Sequence, residues 1–456
     1  MDAALQYAQT HASRFVEELK AWLRIPSIST DPAHAPQTRQ AAEWLADTLR
    51  DAGVDTVEVI PTDGHPVVYA EHPGPEGAPT VLVYGHYDVQ PPDPLELWDA
   101  DPFEPVERDG KLIARGAADD KGQAFMHVKA AEAMLANGGP PVGLKFLIEG
   151  EEENGSVHLP AFLREHADRL AADVVLVSDT ALFAPGVPSI AYGLRGLAYV
   201  EVTLQGPRKD LHSGVYGGGV ANPINALAAM IAGLHDADHR VTVEGFYDDV
   251  QDLSDDERQQ YAALPFDEAA WKAEAGVSET LTERGYSVLE GTSGRPTLDC
   301  NGIWGGYTGE GAKTVLPAKA SAKISCRLVP HQTPEDITDK LRRHFEAHAP
   351  DTMTLTFKDL HGGHGVIVDT SAPAMQAAAA ALEAVFGQTP HFTREGGSIP
   401  VVADFKKILG LDTVLMGFGL DSDSIHSPNE EFGLDRFHQG IEASIRFMDA
   451  YAKQGA

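Results

Sequence analysis

The chain has 456 residues, of which 43% are hydrophobic, and its 68 acidic residues outnumber its 35 basic residues to give a formal net charge of −33. A chain of this length exceeds one compact core and predicts two or three domains. The acidic balance argues against binding to nucleic acid or to an anionic membrane surface, because both carry charge of the same sign.

The N-terminal segment and the cysteines indicate a cytoplasmic protein. Residues 1–27 resemble an amphipathic helix that lacks a basic start and an apolar signal core, which argues against secretion. No apolar run reaches the roughly 18 residues that a membrane span requires. Cys300 and Cys326 are too few for a disulfide framework or a Cys-based zinc site, so a reducing compartment fits.

Four short apolar runs, each followed by a polar cluster, predict the strands of a largely parallel sheet. The runs are residues 80–84, 143–148, 174–177 and 413–416. Helical stretches at 123–137 and 373–386 alternate with them. This alternation predicts an α/β fold in which ligands gather outside the carboxyl ends of the strands.

The middle of the chain predicts a domain of another kind. Residues 197–204 alternate like a strand with one wet face, and two strand-helix-strand units follow in this part of the chain. We therefore predict that a small α+β domain, residues 195–363, is inserted into an α/β domain formed by residues 1–194 and 364–456.

Five segments, most of them near the end of a predicted strand, each offer a metal ligand without a thiolate. These ligands are His86, Asp119, Glu153, Asp179 and His426. Imidazole with carboxylate is the ligand set of catalytic zinc or manganese rather than of structural zinc. Three carboxylates carry −3 and two divalent ions carry +4, which leaves one positive charge for a hydroxide to neutralise. The sequence therefore predicts a centre of two divalent ions.

Two more carboxylates beside these ligands have separate predicted roles. Glu152 is placed to take the proton of a metal-bound water and pass it to a leaving group. Asp88 lies two residues after His86, on the same side of a strand. It is placed to accept the other N–H of that histidine, which fixes the tautomer and the orientation of the ring.

A series of segments in chain order resembles the co-catalytic dinuclear zinc metallopeptidases, the family of acetylornithine deacetylase, succinyl-diaminopimelate desuccinylase, carboxypeptidase G and carnosinase. The segments are GHYDVQPP, WDADPFEP, GKLIARGAADDKG, EGEEENGS, SDT, DLHSGVYGG, AKTVLP, CRLVP, REGGSIP and HSPNE. WDADPFEP, DDKG and DLHSGVYGG are most similar to the cytosolic carnosinase-type dipeptidase branch. The resemblance implies a mostly parallel α/β catalytic domain, of the phosphorylase/hydrolase-like kind, with an inserted ferredoxin-like lid and dimerisation domain.

The resemblance also implies how the ligands divide between two sites. Asp119 would bridge the two ions, and its peptide bond to Asp120 is expected to be cis. One ion would be completed by His86 and Asp179, and the other by Glu153 and His426.

Further roles follow from the same resemblance. Glu152 aligns with the general base. His212 would reach across a homodimer into the partner's site and stabilise the oxyanion. Thr314, Arg327 and Ser398 would hold the substrate, and the planar guanidinium of Arg327 suits a carboxylate.

The implied activity is hydrolysis of dipeptides by attack of a metal-bridging hydroxide on the peptide carbonyl. Zinc is the expected metal, although manganese and cobalt also accept this ligand set. A fixed pocket for the terminal carboxylate would restrict the enzyme to small peptides. Two alternatives stay open: a deacylase of N-acyl amino acids on the same scaffold, and a non-catalytic metal-binding protein that kept the fold.

Overall fold

The structure is a computed structural model that describes residues 1–397 and 399–454. Contacts divide the chain into two compact units. The first unit consists of Met1–Tyr192, Val368–Thr393 and Asp404–Ala456, and the second of Gly193–Ile367 and Arg394–Ala403. The domain limits drawn from the sequence, and the role of the second unit as a lid and dimerisation domain, stay predictions.

The part of the chain up to Leu194 contains five α-helices and eight strands. The helices are α1 (Asp2–Thr10), α2 (Ala12–Leu23), α3 (Ala35–Asp51), α4 (Lys121–Leu135) and α5 (Leu159–Glu165). The strands are β1 (Thr56–Ile60), β2 (Val67–His72), β3 (Thr80–His86), β4 (Val106–Arg108), β5 (Lys111–Ile113), β6 (Gly143–Glu149), β7 (Val174–Val177) and β8 (Ser189–Leu194).

The rest of the chain continues this order. The next strands are β9 (Gly196–Gln205), β10 (Leu211–His212), β11 (Thr297–Gly305), β12 (Val315–Leu316), β13 (Lys319–Leu328), β14 (Thr354–Gly363) and β15 (Val366–Ile367). Their helices are α6 (Ser213–Tyr216), α7 (Pro223–Ala232), α8 (Asp255–Ala263), α9 (Glu268–Ala275) and α10 (Pro334–His348). The last elements are α11 (Pro373–Phe386), β16 (His391–Glu395), α12 (Pro400–Asp404), β17 (Thr413–Leu415), β18 (Glu431–Gly433) and α13 (Leu434–Gln454).

The centre of the sheet in the first unit is parallel. Strands β6, β3, β7 and β17 lie side by side in that order, and all three pairings between them are parallel. They are the four apolar runs of the sequence analysis. Every residue of β6 and β7 is buried, as expected for strands covered on both faces. Antiparallel strands β2 and β8 flank this centre, and the predicted α/β fold class is confirmed.

Helix α4 lies in the interior and begins beside the predicted ligands. Its residues from Lys121 to Met134 are all buried, which is typical of a helix that packs on every side. Its N-terminus follows Asp119 and Asp120 directly, where the helix dipole favours negative charge. None of the helices in the described part of the chain combines the length and apolarity that crossing a bilayer requires.

The second unit contains a four-stranded antiparallel sheet. The strands lie in the order β11, β13, β9, β14, and the chain order β9, α7, β11, β13, α10, β14 is that of a ferredoxin-like motif. Residues along β9 alternate between buried and half-buried, as the period-2 pattern of its sequence predicts. The buried face packs with residues of α7 and α10, among them Leu227 and Leu341, in one apolar cluster.

Candidate metal centre

The carboxyl ends of the four parallel strands carry four of the predicted ligands. His86 is the last residue of β3, and Glu153 lies in a short 3-10 turn after β6. Asp179 follows β7, and His426 lies in the segment after β17. Asp119 completes the set from the segment that precedes α4. Adjacent parallel strands end at the same edge of the sheet, so the structure brings all five side chains together.

The five side chains form two groups that share Asp119. The first contains His86, Asp119 and Asp179, the second contains Asp119, Glu153 and His426, and in each the potential ligand atoms lie within 4.8 Å of one another. The two oxygens of Asp119 face different histidines. Oδ1 lies 3.1 Å from His86 Nε2, and Oδ2 lies 2.7 Å from His426 Nε2. A carboxylate in this position can bridge two ions.

Positive charge is scarce in this cluster. Hydrogen bonds with Asp119 and Glu153 raise the pKa of His426 to about 10. Burial, and then the charge of Asp119, raise the pKa of Asp179 to about 7. The carboxylates of the two groups therefore favour a positive charge among them. Without metal, that charge comes from protonation of an imidazole, as at His426. Divalent ions supply that charge directly, so the donor set fits a pair of them.

Glu152 lies in the same turn as Glu153 but outside the two groups. Burial raises the pKa of Glu152 well above its ordinary value. The charges of Asp179 and Glu153 add to the rise, and the charge of His86 opposes it. A carboxyl group with so perturbed a pKa beside a candidate metal centre is a candidate for proton transfer.

Asp88 joins the end of β3 to the turn that carries Glu152. Its side chain is fully buried, and its Oδ1 and Oδ2 accept hydrogen bonds from the backbone N–H groups of Glu152 at 3.2 Å and Glu153 at 3.1 Å. His86 Nδ1 lies 3.1 Å from the backbone oxygen of Asp88 and 3.4 Å from its Oδ1. The sequence predicts only the contact with His86, and the anchoring of the turn is an addition from the structure.

Two other side chains contact this edge and were not predicted from the sequence. Gln90 Nε2 donates a hydrogen bond to Glu153 Oε2 at 2.7 Å. Glu430 accepts hydrogen bonds from the backbone of the segment that ends at Asp119. Gln90 lies in the segment GHYDVQPP and Glu430 in HSPNE, so the sequence signal for each is its nearness to a predicted ligand in the same segment.

The second unit places His212, the predicted oxyanion donor, close to Thr314, a predicted substrate-binding residue. His212 in β10 lies opposite Val315 in β12, and Thr314 is the residue before Val315. His212 Nδ1 accepts a hydrogen bond from the backbone N–H of Gly214 at 3.0 Å. In the neutral ring the proton is then on Nε2, which is the nitrogen able to donate.

The remaining predicted substrate-binding residues are Arg327 and Ser398. Arg327 lies on β13 and is half-buried, whereas its neighbours Cys326 and Leu328 are fully buried. It therefore faces the less covered side of the sheet. Burial, followed by the charge of Arg327, lowers the pKa of Arg195 to about 10, so a second guanidinium group lies close to Arg327. Ser398 lies outside the described residues.

Comparison with known proteins links this site to a family. The model of peptidase family M20/M25/M40 matches residues 82–450. Cys-Gly metallodipeptidase dug1 of Schizosaccharomyces pombe is 32% identical over 99% of this chain and 98% of its own. Beta-Ala-His dipeptidase of Homo sapiens is 32% identical over 98% of this chain and 92% of its own. The structure of the M20 family metallo-carboxypeptidase Sso-CP2 from Sulfolobus solfataricus has a TM-score of 0.86 at 32% identity and covers 96% of this chain and 99% of its own.

Proposed function

This chain belongs to the M20/M25/M40 peptidase family, as its motifs predict, and we propose that it is a metal-dependent dipeptidase. The observation that carries the proposal is the shared carboxylate of Asp119, whose two oxygens face His86 and His426. The names of the relatives support the substrate class, since one is a Cys-Gly and another a Beta-Ala-His dipeptidase.

Two divalent ions would occupy the two groups, with Asp119 as their common ligand. Zinc is our first candidate, because imidazole and carboxylate ligands bind it well, but manganese and cobalt accept the same ligands. When bound, the ions supply positive charge that polarises a carbonyl and lowers the pKa of water. The positive charge of bound ions would lower the pKa of Glu152, against the burial and the neighbouring carboxylates that raise it.

Glu152 is the proposed general base and acid. Its backbone N–H is fixed by Asp88, and the side chain lies beside both groups of ligands without belonging to either. Ionised, its carboxylate takes a proton from the attacking water at one oxygen. It then delivers that proton to the amine that leaves when the peptide bond breaks. Asp88 fixes the backbone from which this carboxylate projects, because its Oδ1 accepts the N–H of Glu152 and lies 3.4 Å from His86 Nδ1.

His212, Thr314 and Arg327 would act on the substrate. His212 Nε2 is the donor nitrogen of that ring and suits stabilisation of the oxyanion, which in the homodimer we propose belongs to the partner subunit's site. Arg327 would bind the terminal carboxylate through its planar fork, and Arg195 adds a second positive charge nearby. A carboxylate held there directs cleavage to a peptide bond close to the C-terminus, and in a dipeptide that is the only peptide bond.

The test is a hydrolysis screen on metal-analysed protein. We expect fast release of amino acids from unmodified dipeptides, including Cys-Gly and β-Ala-His, and loss of that activity when a chelator removes the metal. Faster cleavage of N-acetyl amino acids would make the protein a deacylase. Stepwise release of C-terminal residues from longer peptides would make it a carboxypeptidase. Protein that holds two ions and cleaves none of these would be a non-catalytic metal binder.

A further inference from the structure

Glu430 is a fully buried carboxylate four residues after His426. Its Oε1 accepts hydrogen bonds from the backbone N–H groups of Ala118 at 2.9 Å and Asp119 at 3.1 Å. Its Oε2 accepts a third from the backbone N–H of Gly116 at 3.0 Å. All three donors lie in the segment that ends at Asp119, so one side chain connects two ligand-bearing segments that are more than 300 positions apart in sequence.

Arg115 completes the surroundings of this carboxylate. Its Nη1 donates to Glu430 Oε2 at 2.7 Å, and the side chains of both residues are buried. The ion pair is neutral, so Glu430 adds no net negative charge next to a cluster that already lacks positive charge. Glu430 thus accepts from three backbone N–H groups and one guanidinium N–H, and a carboxylate has about four lone-pair positions to accept them. Glu430 is therefore suited to hold backbone rather than to bind metal.

The same pair reaches a third segment of the active-site edge. Arg115 Nη2 donates to the backbone oxygen of Pro91 at 3.4 Å, and its guanidinium lies 5.5 Å from the ring centre of Trp98. Asn429, beside Glu430, accepts a hydrogen bond from the backbone N–H of Asp99 at 2.8 Å. The motifs GHYDVQPP, WDADPFEP, ARGAADDKG and HSPNE thus meet at this buried pair.

We propose that Glu430 is a positioning residue that holds Asp119 in place relative to His426, so that the shared carboxylate faces both ligand groups before any ion binds. Three hydrogen bonds from backbone N–H groups to a charged acceptor fix the peptide planes from which Asp119 projects. With these peptide planes fixed, Asp119 Oδ2 lies 2.7 Å from His426 Nε2. This role rests on the dinuclear centre of the proposed function.

The decisive variant is Glu430→Gln. Glutamine keeps the size, but its NH₂ group cannot accept a hydrogen bond, so at least one backbone N–H loses its partner and Arg115 loses its counter-charge. We expect chelator-treated variant protein, shown by circular dichroism to be folded, to bind Zn²⁺ about 10- to 100-fold more weakly than wild type. A competing chromophoric chelator measures the affinity. With Co²⁺ in place of zinc, the visible spectrum should change as well, which reports ligand geometry independently of turnover.

Glu290→Gln is the matched control. Glu290 is buried in the second unit, and it accepts hydrogen bonds from Arg258 Nε at 2.8 Å and from the backbone N–H of Ser287 at 2.7 Å. The substitution therefore removes the same kinds of contact without touching a ligand segment. Its metal affinity should equal that of wild type. Equal weakening in both variants would show a general loss of stability and would overturn the proposal.

Other outcomes are also decisive. A folded Glu430→Gln variant with the Zn²⁺ affinity and the Co²⁺ spectrum of wild type would overturn the positioning role. The proposed function would survive that result, provided that wild type binds two ions. Wild type that binds no pair of ions would remove the proposed function and this role together. If Glu430→Gln does not fold, Glu430→Asp replaces it, because the shorter side chain keeps the charge but cannot span the same donors. Unchanged affinity in Glu430→Asp would overturn the proposal.

Discussion

The two units present their candidate functional residues in contrasting ways. In the first unit the ligands follow buried parallel strands, and buried carboxylates anchor the turns around them, as Asp88 does for Glu152. In the second unit His212 and Thr314 are exposed and lie at strands of only two residues. The proposed ligands and the proposed base thus follow buried strands, whereas His212 and Thr314 lie at an exposed pair of short strands.

This contrast has a physical reason. Metal ligands and a general base lose function when their geometry changes by fractions of an ångström, so buried side chains must fix them. Substrate residues must accept different side chains of different peptides, and exposed positions tolerate that variation. Substitutions in the first unit should therefore change turnover or metal binding. Substitutions in the second should change turnover or substrate affinity while metal content stays at the wild-type level.

Glu152→Gln should produce the largest effect. Glutamine cannot shuttle a proton, so turnover should fall by about 10⁴-fold, the upper range for loss of a general acid-base group. Both ions should remain, because Glu152 belongs to neither ligand group. Steady-state kinetics with metal analysis on the same sample measures both quantities.

The adjacent glutamate supplies the control. Both oxygens of Glu151 contact His158 Nδ1, at 3.1 and 2.8 Å, and the oxygen of a glutamine can still accept that hydrogen bond. Glu151→Gln should keep most of the activity. Normal turnover in Glu152→Gln, or an equal loss in both variants, would show that the base is misassigned.

His212→Ala should follow in size. Loss of an oxyanion donor lowers turnover by about 10²- to 10³-fold. Metal content should not change, since His212 belongs to neither ligand group. Subunit exchange tests the dimer directly: His212→Ala mixed with Glu152→Gln should regain activity, because one hybrid site carries both native residues. A verified heterodimer without activity would mean that His212 acts within its own chain.

Arg327→Lys should have a smaller effect that is confined to substrate binding. Lysine keeps the charge but loses the planar fork, so kcat/KM for dipeptides should fall by about 10-fold or more, mostly through KM. Lys323→Gln is the matched control, because Lys323 lies four residues earlier on the same side of β13. Dipeptide amides, which lack the carboxylate, should be poor substrates of wild type and should lose little more with Arg327→Lys. An equal loss for amides and free dipeptides would contradict the role.

The sequence predicts the first unit better than the second because of what each displays along the chain. An apolar run followed by a histidine or an acid is visible in the sequence, and this pattern predicts His86 and Asp179 as ligands. Helix α11 has the predicted bounds, since Pro373 at its start and Gly387 after its end mark them. The contacts of Glu430 could not be predicted, because its backbone partners lie more than 300 positions away and meet it only in the folded chain.

The resemblance, rather than any pattern, supplied the substrate residues. Arg327 occupies an ordinary position in a strand, and the exposed His212 resembles many surface histidines. Nothing in the local spacing of these two residues indicates a ligand. The variants Arg327→Lys and His212→Ala therefore test roles that the resemblance alone implies, whereas the strand-end ligands also follow from the sequence pattern.

The smallest predicted effect on turnover concerns His127, in the interior next to the residue that precedes Asp179. His127 is fully buried between Ser178 Oγ at 2.8 Å and Ser444 Oγ at 2.9 Å, and burial lowers its pKa to about 4. The unfolded chain binds a proton at this residue below its ordinary pKa of about 6.5, whereas the folded protein does so only below about 4. Acid therefore favours unfolding. The stabilisation is complete above pH 6.5 and is lost as the pH falls to about 4, by about 3 kcal/mol.

His127→Gln removes this titration while an amide can still bond with both serines. Its free energy of unfolding should depend less on pH than that of wild type between about pH 4 and 6.5. Urea denaturation of the metal-free proteins across this range measures the difference. Because His127 contacts no ligand atom of the two groups, turnover of the metal-loaded variant at neutral pH should stay near that of wild type. If the two proteins show parallel pH profiles, protonation of His127 contributes nothing to the acid sensitivity of the first unit.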